Sequence, residues 1–137
     1  MGLRVRNELS RSSRYYISRH RYLELKHFCL QYNDWQKEKS VSLLKSSSII
    51  KTSGSGRNAF VDETGDLAAM RSEIDRRSGI ILKAAEDADR NLAKYIFIGV
   101  TQGLSFTTLK GLYDIPCERD MYYDRYRKFF WLLDKLR

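Results

Sequence analysis

From residue 19 onward, apolar side chains recur at three- and four-residue intervals: Tyr22, Leu25, Phe28, Cys29, Tyr32 and Trp35, with polar residues in most of the gaps. This period predicts an amphipathic helix over residues 19–38, opened by Ser18 as its N-cap. From Ser40 to Gly56 seven serines and two glycines surround Val41, Leu43, Leu44, Ile49 and Ile50 without a sustained helical period. That stretch reads as a loop, with a small hairpin within residues 47–62 as the alternative, strands 48–52 and 58–62 flanking the turn. Asp62, Glu63, Thr64 and Asp66 put acids and a capping hydroxyl where a helix begins. After them Leu67, Met70, Ile74, Ser78, Ile81, Ala85, Ala88, Leu92 and Tyr95 keep a three-four alternation. A long second helix follows, continuing through residues 96–100 to a stop at Gly103. Gly79 in its middle weakens it by ~1 kcal/mol and is the natural place for a break. The stripe reads as intramolecular core, and its length makes a helix-pair dimer the alternative.

The last third is patterned as two further helices. Ser105 is a good N-cap for a short helix with Leu109 and Leu112 inward, which Asp114, Ile115 and Pro116 end because proline disfavours helical angles at the residue before it. The next helix runs from about Cys117 to Leu136, with Met121, Tyr122, Tyr126, Phe129, Leu133 and Leu136 at 3.6-like spacing. A helix, a three-residue turn and a helix, preceded by the helix ending at Gly103, is the layout of a helix-turn-helix domain. The predicted fold class is all-α. Its parts are a basic arm over residues 1–17, an amphipathic helix over 18–39, a Ser/Gly-rich insertion over 40–65, and a long helix with a helix-turn-helix over 66–137. The apolar run 129–133 covers every side of a helix, so one side must dock on the first helix or on a second copy.

Charge adds a direction to this plan. The 137 residues carry a net +8, but residues 1–26 alone hold seven basic and two acidic side chains, and residues 36–60 hold five and one. Residues 61–92 are acidic, with eight acids against five bases. A basic front of this kind attracts a polyanion, with a strength that falls as salt rises. The early arginines also resemble a transit peptide in composition, but a nucleic-acid-gripping arm has the same make-up and is the reading taken here. Two widely spaced cysteines, Cys29 and Cys117, fit a reducing compartment better than a disulfide scaffold. The apolar runs fall far below the ~20 residues of a membrane span. The expectation is a cytoplasmic protein that does not engage a membrane.

Chemistry-bearing motifs are sparse. His20, His27, Cys29 and Cys117 include no Cys-x-x-Cys pair of the structural zinc kind, so no metal is expected. GxSxG, HExxH and GxxxxGK[ST] are missing, which predicts neither an enzyme nor a cofactor. The tyrosines Tyr15, Tyr16, Tyr22, Tyr32, Tyr122, Tyr123 and Tyr126 fall at helical spacing, which favours core packing over base stacking. The candidate nucleic-acid contacts are therefore cationic: Arg4, Arg6, Arg11, Arg14 and Arg19 in the first part of the chain. On the last helix they are Arg119 and Tyr123 toward base edges, with Arg125, Arg127 and Lys128 toward phosphate. The competing reading of the last helix is a solvated face in which Asp120 and Asp124 pair with Arg125, Arg127 and Lys128. Glu118 and Asp120 at its start would repel phosphate.

Gly103-Leu104-Ser105, then Leu109, Leu112, Tyr113, Asp114 and Ile115 and a strongly patterned last helix, resemble the helix-turn-helix of sigma-factor region four. With residues 22–32 (YLELKHFCLQY) and 115–120 (IPCERD), the chain is similar to small phage and prophage proteins of Firmicutes, some of them likened to late-gene transcription regulators of the RinA and ArpU kinds. The regulator-like motif covers about residues 92–133. Lys110 stands where the pattern has a small residue, Asp114 where it has a turn glycine, and one residue is added between Ile115 and Met121. The resemblance implies a DNA-binding phage transcription regulator acting on duplex DNA as a homodimer. A phage anti-defence protein of the anti-CRISPR sort, bound to a host nuclease or its nucleic acid, is the alternative. A small-terminase-like packaging subunit is the third.

Overall fold

The computed structural model describes residues 13–51 and 57–137, with side chains described at 13–47 and 65–137. The protein is all-α, and no strand occurs among the described residues. Its helices are α1 (Arg19–Leu30), α2 (Tyr32–Lys51), α3 (Arg57–Ala88), α4 (Ala93–Gln102), α5 (Phe106–Tyr113) and α6 (Arg119–Leu136). The chain divides into two compact units: residues 32–79, and residues up to 31 together with 80–137.

In the first of these units, α2 and the leading part of α3 run antiparallel, since partners rise in number along one helix as they fall along the other. Arg77 stacks on Trp35 at 5.5 Å, Lys39 pairs with Asp75 at 2.6 Å, and Arg71 Nη1 donates to Ser46 Oγ at 3.0 Å. Residues 40–51, expected as a loop, are helical, and so is the segment from Arg57 that the hairpin alternative would have made a strand. Serine is only a moderate helix former, but here its hydroxyls find partners along the helix. Ser40 Oγ donates to the Gln36 carbonyl and Ser42 Oγ to that of Lys39. Ser42 is buried, and Arg71 also reaches its hydroxyl at 3.5 Å. The expected helix start at Asp62–Asp66 lies inside α3, and Gly79 does not interrupt it.

The second unit packs α1, α5 and α6 around α4. Ser18 caps α1 as expected, its Oγ accepting from the Arg21 N–H. Tyr22, Leu25, Phe28 and Cys29 are buried along α1, and Tyr122, Phe129, Phe130 and Leu133 along α6. The apolar run of α6 is covered by α1: the Tyr22 and Phe130 rings meet edge to face at 5.1 Å, and the Tyr22 and Tyr126 hydroxyls lie 2.9 Å apart. At one end, Arg21 donates to Asp134 and Arg137 to Glu24. The long second helix breaks at Asp89, one position the periodic stripe conceals because Leu92 stays buried on the same face. Asp89 Oδ1 accepts from the N–H groups of Asn91 and Leu92 at 2.9 and 3.1 Å, an Asx turn that replaces helical hydrogen bonds.

Candidate nucleic-acid interface

Three local devices position α5 and α6. Gly103 takes left-handed angles at φ 69° and closes α4, where a side chain would be strained. Ser105 Oγ accepts from the Thr108 N–H and opens α5. Asp114 then adopts φ 50°, the left-handed turn residue that the sequence pattern assigns to glycine. The turn from Asp114 to Glu118 is five residues rather than three. It is pinned by Ile115, which is wholly buried, and by Lys110 Nζ donating to the Ile115 carbonyl at 3.0 Å.

Beneath this turn, α6 seats against α4 by close approach. A Cβ on Gly99 would lie 2.5 Å from Tyr122 Oη and 3.2 Å from Leu109 Cδ1, so only glycine admits this spacing. Tyr122 is fully buried among the rings of Phe106, Tyr123 and Tyr126. Leu112, expected inward, is 67% exposed, and Met121 and Leu136 are exposed as well. The inward stripe of α6 runs through Tyr122 and leaves Met121 out, and Leu109 is the buried residue of the short α5.

The candidate contact residues divide sharply. Arg4, Arg6 and Arg11 lie outside the described residues. Arg14 is exposed with its guanidinium 4.8 Å from the Tyr15 ring, and Arg19 is exposed at the start of α1. On α6, Arg119 is exposed and Lys128 half-buried, and no described carboxylate forms an ion pair with either. Tyr123 is half-buried and tied inward, its hydroxyl accepting from the Phe106 N–H at 3.2 Å. It clasps α6 to the start of α5. Arg125 Nε donates to Asp89 Oδ2 at 3.1 Å while its Nη1 donates to Asp124 at 2.8 Å, and Arg127 lies 3.7 Å from Asp124. Two of the three expected phosphate contacts are thus engaged within the fold, as the solvated-face reading of this helix anticipated for Asp124. Glu118 and Asp120 stand exposed beside Arg119.

At the other end of α6, the chain entering α1 builds a surface that the sequence reading passed over. Tyr15 and Ile17 are buried, and the Tyr15 ring meets Trp131 at 5.6 Å. Lys135 Nζ sits 3.2 Å from the centroid of Trp131, within cation–π range. A cavity of about 10 Å³, room for one water, is lined by Tyr15, Ile17, Tyr22, Tyr126, Arg127 and Phe130. The signal available in the sequence was Ile17 before the Ser18 cap and Tyr22 four positions into the helix, the spacing of a hydrophobic staple.

Burial pushes the Cys29 thiol up to about 12, and burial also raises Cys117, with the nearby Lys110 ammonium opposing it. Among the described residues no three of His, Cys, Asp and Glu gather as a metal ion would require, and no helix is long and apolar enough to cross a membrane. No protein-family profile matches this chain, and no curated protein or solved structure does either.

Proposed function

We propose that the protein binds duplex DNA through α5, the following turn and α6, as a phage-type transcription regulator. The observation that carries this reading is the trihelical arrangement itself: α5 and α6 packed on α4, joined by a pinned turn, with Arg119 projecting from the first turn of α6. In such a domain the leading residues of the last helix meet base edges, and surrounding cations meet phosphate. Arg119 is the residue for base contact, and Lys128 with the amino-terminal arginines supplies the phosphate contacts. Tyr123 positions α5 through its hydrogen bond to Phe106. A dimer would present two such helices to two half-sites.

Fluorescence anisotropy with a random-sequence duplex across a salt series tests the proposal. Binding at low salt that weakens linearly in log–log form with added salt supports it, and no binding at the lowest salt removes it. Light-scattering mass separates a dimer from the ring that a packaging subunit would form.

A second reading has its own support. Leu112, Tyr113 and Met121 are exposed around the α5–α6 turn, and Glu118 and Asp120 flank Arg119. Such a surface suits a protein partner, as an anti-defence inhibitor would need. Retention of a host protein after nuclease treatment, lost in Leu112→Asp, would favour this reading over DNA.

A further inference from the structure

The cations of the two ends of α6 are not equivalent. Around its first half stand Arg119, Arg125, Arg127 and Lys128 together with Glu118, Asp120, Asp124 and Asp89: four positive and four negative side chains, a net of zero, with Arg125 and Arg127 paired to Asp89 and Asp124. Around its last turns, contacts bring together Arg14, Arg21, Lys135 and Arg137 with Glu24 and Asp134, four positive and two negative groups, a net of +2. That tally counts side chains alone, and the partial negative charge of the helix end, about half a unit, subtracts from it. Both acids there are already engaged: Asp134 by Arg21, and Glu24 by Arg21 and Arg137. Arg14 and Lys135 are the cations left to an outside partner.

We propose that Arg14 on the Tyr15 ring and Lys135 on the Trp131 ring form a phosphate-gripping site for the nucleic-acid backbone, at the end of α6 opposite Arg119. The inference rests on the duplex-binding reading above and names where its electrostatic affinity resides. The two ring centroids are 5.6 Å apart; Tyr15 is 8% exposed and Trp131 half-buried, so Arg14 lies over a buried ring and Lys135 over a ring packed against it. A cation held on a ring loses less freedom on meeting phosphate than one on a freely moving stem. Arg119 and Lys135 are sixteen residues apart on one helix, about 24 Å at 1.5 Å per residue. At 3.6 residues per turn the two positions also lie about 160° apart around the helix, so the Lys135 site meets a different stretch of backbone from the one beside Arg119.

The test compares the wild type with R14A/K135A, both side chains being exposed so that the fold is retained, as checked by circular dichroism. Duplex affinity is measured over a salt series, and Trp fluorescence is followed on adding inorganic polyphosphate. The expected result is a salt slope smaller by about 1.8 in the variant, two phosphate contacts at ~0.9 each, with the polyphosphate response of the wild type lost. Wild-type duplex binding with an unchanged slope in R14A/K135A overturns the site and leaves the DNA reading standing. A polyphosphate response lost in the variant, without wild-type duplex binding, overturns the DNA reading and keeps the phosphate site. Binding of neither ligand overturns both.

Discussion

Replacing Gly99 by alanine sets two effects against each other. In the helix interior the change is worth ~1 kcal/mol in favour of alanine. The new methyl, however, would stand 2.5 Å from Tyr122 Oη and 3.2 Å from Leu109 Cδ1. Tyr122 cannot swing away, because its ring is fully buried with Phe106, Tyr123 and Tyr126 at 5.7, 5.1 and 6.1 Å between centroids. Overpacking of this kind costs about 1–3 kcal/mol, and a fixed ring puts the cost in the upper part of that range. Gly99→Ala should therefore destabilise the protein by a net ~1–2 kcal/mol, read as a lower urea midpoint at constant m-value. In a Tyr122→Phe background the nearest obstacle is removed, and the same substitution should cost at least ~1 kcal/mol less, an interaction energy measured by the double-mutant cycle. A G99A protein as stable as the wild type, or an equal cost in both backgrounds, would refute the close seating of α6 on α4.

Asp89→Ala removes the acceptor for two N–H groups, about 1 kcal/mol by analogy with a lost N-cap, and leaves Arg125 with Asp124 alone, for a total near 2 kcal/mol in thermal or urea unfolding. A loss below about 0.5 kcal/mol would contradict the role given to that turn. Asp114→Gly relieves a left-handed residue and should stabilise by ~1 kcal/mol, less a few tenths for the exposed pair with Lys110; destabilisation would count against the turn geometry. A thiol reagent at mildly alkaline pH should label Cys117 in the native protein and Cys29 only after unfolding, and equal labelling rates would contradict the burial of Cys29. Because Cys29 holds its proton more tightly when folded, its contribution to stability is complete below its ordinary value of 9.0. It is lost as pH rises toward about 12.

The sequence made the caps and most core faces legible because each rests on local chemistry. Ser18 and Ser105 cap as their positions require, and the three-four stripe from Ile74 to Leu92 is buried at Ile74, Ile81, Ala85, Ala88 and Leu92. The break at Asp89 was hidden because an Asx turn needs only one carboxylate and leaves the apolar period intact. Residues 40–51 read as a loop because their serines are mediocre helix formers in isolation. The stabilising partner, Arg71, is 25 to 29 positions away in the chain. The same distance effect governed the candidate site. Arg125 looks free until Asp89, 36 residues earlier, is brought beside it, and Lys135 gains its ring support from a neighbour four positions back that periodicity assigns to packing.

Contact of α5, its turn and α6 with a polyanion is read out residue by residue from backbone amide shifts in an NMR titration with a short duplex at low salt. Perturbations are expected at residues 105–128 and around residues 13–21 and 131–137, fading together as salt is added. Shifts confined to residues 32–79, or none anywhere, would contradict it.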